Sequence, residues 1–219
     1  GLITLTAQDE IGVLGSGTDT DLEFATGSSV NISTTGTGAI DLDGLGTLTL
    51  TDVDTANGAI TVTAAGALTV TDVASGTNGN ITLTTTSGDI TGLATVNAGS
   101  GNVTLNSAGA IVDDGSAGTV ITGGVLTADA AGAITIDSTV ASANISTSAA
   151  GNVDLDETDG ITLTDLDTND GSITVDAGGL ITATDVVAAG GSGDSVTLTT
   201  TTGGAVATLV TGADAVSIT

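Results

Sequence analysis

The 219-residue chain contains no Lys, Arg, His, Pro, Cys, Met, Trp or Tyr, and its single aromatic residue is Phe24. Each absence closes a class of chemistry. Without imidazole, thiol or amine side chains, Ser-His-Asp, Cys-His and lysine Schiff-base catalysis are impossible within the chain. Zinc sites built on His or Cys are excluded as well. Nucleic acid is not an expected partner, because phosphate neutralisation needs Lys or Arg and base stacking needs aromatics. No run of about 18 apolar residues occurs, so membrane insertion is not expected either. The opening Gly1-Leu2-Ile3-Thr4-Leu5-Thr6 has no basic segment and no initiator Met, which reads as a mature or excised segment rather than a signal peptide. With no Cys, disulfides say nothing about compartment.

What is present is Thr (45 residues), Gly (34) and acid: 26 Asp and Glu give a net charge of -26. High charge with few aromatics favours disorder. Against that, 39% of the residues are hydrophobic, mean hydropathy is +0.44, Pro is absent, and Ile, Val and Leu are spread evenly. Thr and Val favour strands and Gly supplies turns, so folded β structure is predicted.

The smallest repeated unit is Gly-x-apolar-x-apolar-x, as in Gly58-Ala59-Ile60-Thr61-Val62-Thr63, Gly79-Asn80-Ile81-Thr82-Leu83-Thr84 and Gly171-Ser172-Ile173-Thr174-Val175-Asp176. Alternation of this kind gives a short strand with one buried face. The first apolar positions run Ile40, Leu48, Ile60, Leu68, Ile81, Ile90, Val103, Ile111, Leu126 and Ile134, with gaps of 8, 12, 8, 13, 9, 13, 8, 15 and 8. Short and long gaps alternate, so the true period is their sum, about 20 to 23 residues. After an irregular stretch at Ile145 the pattern returns at Val153, Ile161, Ile173 and Ile181, and a third apolar residue recurs at Val53, Val73, Leu166 and Val186.

Fixed periods of this size indicate a solenoid. The predicted fold is all-β: one continuous parallel β-helix over residues 1–219, right-handed by the usual preference of crossovers, with roughly 10 or 11 coils and three inward-facing segments per coil. At about 4.8 Å per coil the rod would be roughly 50 Å long, with a core of like residues stacked on like, Ile60 on Ile81 on Val103.

Stretches such as GNITLTTTSGDI, GNVTLNSAGAIVDD and GSITVDAGGLITATDV resemble the shaft repeats of filamentous-haemagglutinin-like, two-partner-secreted adhesins, and the β-strand repeats of very large bacterial surface proteins. The resemblance spans the whole chain and is compositional. The conserved N-terminal secretion domain of those adhesins is not seen in it. The resemblance implies an extracellular or cell-surface rod that holds something away from a cell or forms a fibre.

Candidate chemistry rests on the acids. Asp52 and Asp72 lie four residues after Leu48 and Leu68, and Asp165 and Asp185 hold the same place after Ile161 and Ile181; Asp54 and Asp167 lie beside them. Each pair is one coil apart and should stack at one corner. Carboxylates about 5 Å apart repel by on the order of 1 kcal/mol even in water, and no Lys or Arg is present to neutralise them. Calcium is the natural counterion and the one cofactor considered; solvated turn aspartates are the alternative. Gly190-Gly191-Ser192-Gly193-Asp194 approaches a calcium-repeat motif once, with its Asp one position early. Outward Thr pairs (Thr49/Thr51, Thr61/Thr63, Thr69/Thr71, Thr82/Thr84, Thr162/Thr164 and Thr182/Thr184) resemble an ice-binding face, but Asn106, Asp129, Asp137, Asp156 and Asp176 interrupt the array. Asp113-Asp114 could in principle supply an acid and a base, yet a surface of this charge has nothing with which to hold an acidic polysaccharide, and no enzyme activity is expected. Asn31, Asn80, Asn102 and Asn144 lie in Asn-x-Ser/Thr, read either as glycan acceptors or as strand-start turn residues.

The leading expectation is a structural extracellular rod, a subunit or segment of a filament. The alternatives are the shaft of a larger adhesin and, behind it, an ice-binding solenoid. The repeat starts at Ile3 and Leu5 and still alternates through Ala215-Val216-Ser217-Ile218-Thr219, with no cap visible at either end. The expected partner is therefore the chain itself, head to tail, or the rest of a longer chain.

Overall fold

A computed structural model describes residues 1–12, 22–116, 118 and 120–219. Among these residues the chain is all β: 22 strands, from Leu2–Ala7 to Ala215–Ile218, without a helix, stacked in parallel as a solenoid of about nine turns. The expected β-helix is present, with fewer coils than the 10 or 11 predicted. At about 4.8 Å per turn the rod is about 43 Å long.

Two walls run the length of the rod. In wall A, Ile11 pairs with Ile40, which is followed in register by Ile60, Ile81, Val103, Leu126, Ala143, Leu163, Ala183 and Ala207. In wall B, Ser28 is followed by Leu48, Leu68, Ile90, Ile111, Ile134, Val153, Ile173, Val196 and Val216. The predicted Ile60–Ile81–Val103 stack is a segment of wall A, and all three residues are fully buried. Successive side chains of a strand point to opposite faces, so one apolar column lines the core of each wall and a second column, two residues on, lies beside it. The core is one cluster of Ile, Val, Leu and Ala in which Phe24 is the only aromatic.

The repeat changes phase partway along. Up to Ile111, a third inward segment follows wall B: Ile32, Val53, Val73, Val96 and Ile121 are paired in turn. The long strands Ile121–Ala130 and Ile134–Ala150 then carry the chain through a transition. Beyond it the walls alternate evenly, ten residues apart, at Val153, Leu163, Ile173 and Ala183. Ile161 and Ile181 are therefore not equivalents of Leu48 and Leu68. Leu166 and Val186 belong to the wall A column of Leu42, Val62 and Ile145, not to the column of Val53. Ile161 and Leu163 both point inward, as period-2 alternation requires; only pairing of Leu163 with Ala143 shows which of them stands in the main wall A column.

Glycine precedes the wall A strands because coils pass backbone to backbone there. A Cβ on Gly58 would lie 2.1 Å from the carbonyl oxygen of Gly38, and one on Gly79 would lie 2.2 Å from that of Gly58. A second device closes the turns. Buried or nearly buried hydroxyls at strand ends donate to the carbonyl three or four residues on: Thr34 to Gly38 (3.0 Å), Thr55 to Gly58 (2.7 Å), Ser75 to Gly79 (2.5 Å), Thr85 to Gly88 (2.8 Å), Ser107 to Ala110 (2.9 Å) and Thr168 to Gly171 (2.5 Å). A buried turn carbonyl is thereby satisfied without a side chain from elsewhere.

Candidate functional site

The first sequence-predicted cluster forms on the side that follows wall B. Val53 pairs with Val73, which brings Asp52 and Asp72 into adjacent coils, with Asp54 beside them. Asp54 is pushed up to about 6, first by burial, then by the hydrogen bond and charge of Asp52 and the charge of Asp72, while the Ala74 N–H opposes the shift. Asp72 is raised by burial and by Asp52. The Asn31 amide donates to Asp52 Oδ2 at 2.9 Å, the one side-chain donor offered to this cluster by a glycan-motif asparagine. The second cluster, Asp165, Asp167 and Asp185, forms on wall A, where Leu166 pairs with Val186. Asp167 is raised by burial and then by the charges of Asp165 and Asp185. Each pair thus stacks as expected, but the two clusters occupy different columns and are not copies of one site. One carboxylate oxygen each of Asp54, Asp185 and Asp194 is shielded from solvent without a hydrogen-bond partner. Among the described residues no three or more acidic side chains are gathered so that they could hold a metal ion.

A longer ladder escaped the sequence reading. On wall B, Asp137, Asp156 and Asp176 are paired in successive coils, and Asp154, two residues before Asp156 on the same outward face, pairs with Thr135 and Thr174. Asp137, Asp154 and Asp156 are all raised, first by burial and then by neighbouring carboxylates. The signal is their spacing of 19 and 20 residues, one coil each, which in the sequence is masked by their place as interruptions of a Thr array.

Beside that ladder lies Glu157, the one buried acid among the described residues, 4% exposed. It occupies an inward position, paired with Ser138 on one side and Ala177 on the other. Its Oε2 accepts from Ser138 Oγ at 2.6 Å and from the Val140 N–H at 3.1 Å, and its Oε1 from the Asp159 N–H at 3.3 Å. Burial nevertheless pushes it up to about 7, because those donors offset only part of the desolvation. An open groove of about 480 Å³ borders it, lined by Asp137, Asp156, Asp176, Thr199 and Thr201.

The remaining candidates lie in turns and strands. Asn80 and Asn102 lie in turns, where Asn80 Oδ1 accepts from the Asn102 N–H (2.9 Å) and Asn102 Oδ1 from the Val125 N–H (3.2 Å). Asp113 and Asp114 accept from the N–H groups of Gly115 and Ser116, each at 2.9 Å. Gly193 donates to Asp214, tying the glycine-rich turn to the last coil. The Thr pairs divide between walls: Thr61/Thr63 lie against Thr82/Thr84 on wall A, whereas Thr49 lies against Thr69 on wall B.

The two ends form the other notable surface. Among the described residues, Leu2–Ala7 pairs only with Ser28–Thr34, Ala205–Gly212 only with Ile181–Ala188, and Ala215–Ile218 only with Ser195–Thr200. Each leaves one strand edge open. Apolar side chains at inward positions of these terminal strands are exposed here: Ile3 37%, Leu5 36%, Val216 46% and Ile218 42%. Leu2, Val206 and Leu209, on the outward faces of the same strands, add to these surfaces. No helix is long and apolar enough to cross a membrane. No family model, curated protein or solved structure matches the chain.

Proposed function

We propose that this chain is a structural rod, the subunit or segment of an extracellular filament assembled by stacking solenoid ends head to tail. The observation that carries the reading is the pair of open ends, each a cross-section of the core with unpaired strand edges and half-exposed Ile, Leu and Val. Such edges template further pairing. A contact between unlike ends does not close, and so extends indefinitely. Calcium acts in this reading as a counterion along the carboxylate ladders, at Asp52, Asp54 and Asp72 and at Asp165, Asp167 and Asp185, lowering repulsion within and between subunits. No catalysis, nucleic acid or membrane insertion belongs to it. The absence of Lys, Arg, Met and Cys, which removes trypsin sites and oxidisable sulfur, suits a location outside the cell.

The resemblance to filamentous-haemagglutinin-like repeats supports a second reading, the shaft of a large surface adhesin, in which the same edges are covered by coils of the same polypeptide. Sedimentation and electron microscopy of the purified chain, with and without salt or calcium, test the first reading. Thin unbranched rods that lengthen with concentration are expected. A species of 20.5 kDa that stays monomeric at high protein and calcium concentration overturns it.

A further inference from the structure

We propose that Glu157 is a proton-operated latch: with its carboxyl neutral it closes the turn Glu157–Gly160 over the corner of the neighbouring coil, and on losing the proton it releases that turn while the rest of the rod stays folded. The latch stands in the interior of the rod, between the strands Val153–Glu157 and Ile161–Asp170.

The contacts of Glu157 make it a fastener. The long strand Ile134–Ala150 turns its corner beside it, where Ser138 pairs with Glu157 and Ser142 with Thr162. Between those two pairs the Val140 N–H donates to the Glu157 carboxyl at 3.1 Å, alongside the Ser138 hydroxyl at 2.6 Å. The other carboxyl oxygen accepts from the Asp159 N–H, in the turn itself, at 3.3 Å. One side chain thus ties the corner of one coil to the turn of the next. Its neighbours in the column, Ser138, Ala177 and Thr200, are too short to do the same.

The turn has room to leave. Thr158, Asp159 and Gly160 are exposed. The groove of about 480 Å³ borders Glu157 and Thr158, and a second groove of about 470 Å³ is lined by Val140, Asp159 and Gly160. Backbone bonds across the turn run from the Thr158 N–H to the Ser138 carbonyl (3.0 Å), and from the Gly178 and Gly179 N–H groups to the carbonyls of Glu157 and Asp159 (2.9 Å each). Releasing the turn breaks local bonds of this kind, whereas unfolding breaks the ladders on both sides. Openings of limited extent are the cheaper response in a solenoid, whose stability is set between neighbouring coils.

Charge supplies the drive. Among the described residues every titratable group around Glu157 is an acid: Asp137 on the strand Ile134–Ala150, Asp176 on the strand Ile173–Ala177, Asp154 and Asp156 on its own strand, and Asp159 in the turn. Asp113 and Asp114 add to the field at Asp137. The chain has no Lys, Arg or His to compensate it. Burial pushes Glu157 up to about 7, and its side-chain hydrogen bond with Asp159 also favours the neutral form. Once Glu157 is ionised, its carboxylate and that of Asp159 repel across the turn, and moving into the grooves returns both to water.

Amide hydrogen exchange of the folded protein, followed by NMR and expressed as protection relative to an unstructured chain, tests the latch. A closed form that titrates at about 7 and an open form that titrates at the ordinary 4.5 make opening about seventyfold more favourable between about pH 5 and about pH 8, levelling off above about pH 7. Protection at Val140 and Asp159 should fall by that factor and stay well below that of Val62 and Leu83, in remote coils, throughout. Glu157→Gln, which keeps the shape but has no proton to lose, should remove most of the pH dependence at both amides. Asp159→Asn, at an exposed position, should raise the protection of Val140 at about pH 8 and serves also if Glu157→Gln does not fold. Equal protection at Val140, Asp159, Val62 and Leu83 would assign the titration to global unfolding and overturn the latch. A pH dependence at Val140 that survives Glu157→Gln, or a protection that Asp159→Asn leaves unchanged, would overturn it as well.

Discussion

Titrating Glu157 tests the energetic account of the core. Its carboxyl is 4% exposed and pushed up to about 7 from an ordinary 4.5. A group whose folded pKa exceeds its unfolded value binds protons more tightly in the native state, so its stabilising contribution is fully present below about pH 4.5 and is lost as pH rises through about 7. One pKa unit is worth about 1.4 kcal/mol, and integrating between pH 8 and pH 5 gives about 2.5 kcal/mol of acid stabilisation from this residue. Asp54, raised to about 6, and Asp72, Asp137, Asp154, Asp156 and Asp167, all raised, act in the same direction. The protein should therefore grow more stable on mild acidification, opposite to proteins whose carboxylates are salt-bridged. Urea unfolding followed by far-ultraviolet circular dichroism measures this, since no Trp or Tyr is available for fluorescence. Glu157→Gln should remove about 2.5 kcal/mol of the difference between pH 8 and pH 5. Its absolute gain at pH 8 should be smaller, because the amide keeps one acceptor oxygen where the carboxylate offers two, and a lost buried hydrogen bond costs about 1–3 kcal/mol. A stability that falls steadily from pH 8 to pH 5, or a Glu157→Gln protein with the parent's pH dependence, would refute the reasoning.

Gly58→Ala should destabilise by about 1–3 kcal/mol or more, since the new Cβ would sit 2.1 Å from the Gly38 carbonyl oxygen; an unchanged urea midpoint would contradict the close-approach account. Thr168→Val keeps the shape of a buried side chain but strips the Gly171 carbonyl of its hydroxyl donor, for an expected loss of about 1–3 kcal/mol in the same assay. Sodium chloride should raise the thermal midpoint, and calcium should raise it further at equal ionic strength, because 26 acidic residues have no Lys or Arg to pair with; a midpoint indifferent to both would count against repulsion as a limiting term.

Much of the architecture could be read from the sequence because a solenoid writes its period into the chain. Ile60, Ile81 and Val103 are separated by one coil each, and stacking follows from that spacing alone. The phase change was not readable. Ile161 and Leu163 alternate as well as Leu48 and Leu50 do, and only pairing with Ala143 shows which member belongs to which column. The misassignment carried over to the acids: Asp52 and Asp165 share a local sequence position but sit on different sides of the rod. Glu157 was missed for a related reason. It follows Asp154 and Asp156 in an acidic stretch and reads as one more solvated residue, yet alternation from Val153 and Leu155 puts it inside, and that parity was the available signal.

Charge opposes the end stacking proposed above, and the acids near the ends set how strongly. With a screening length of about 8 Å at physiological salt, most of the -26 charge of one copy is invisible to the next. Among the described residues, the acids of the terminal coils are Asp9, Glu10 and Glu23 near one end and Asp214 near the other, all exposed. Each can shed field into solvent, so their repulsion is modest and yields readily to salt. Apolar contact between the exposed Ile, Leu and Val side chains of two ends does not weaken as salt is added. The proposed stacking should therefore strengthen with ionic strength, because ions screen the charge and leave the apolar contact unchanged; rods that shorten as sodium chloride is added would contradict this.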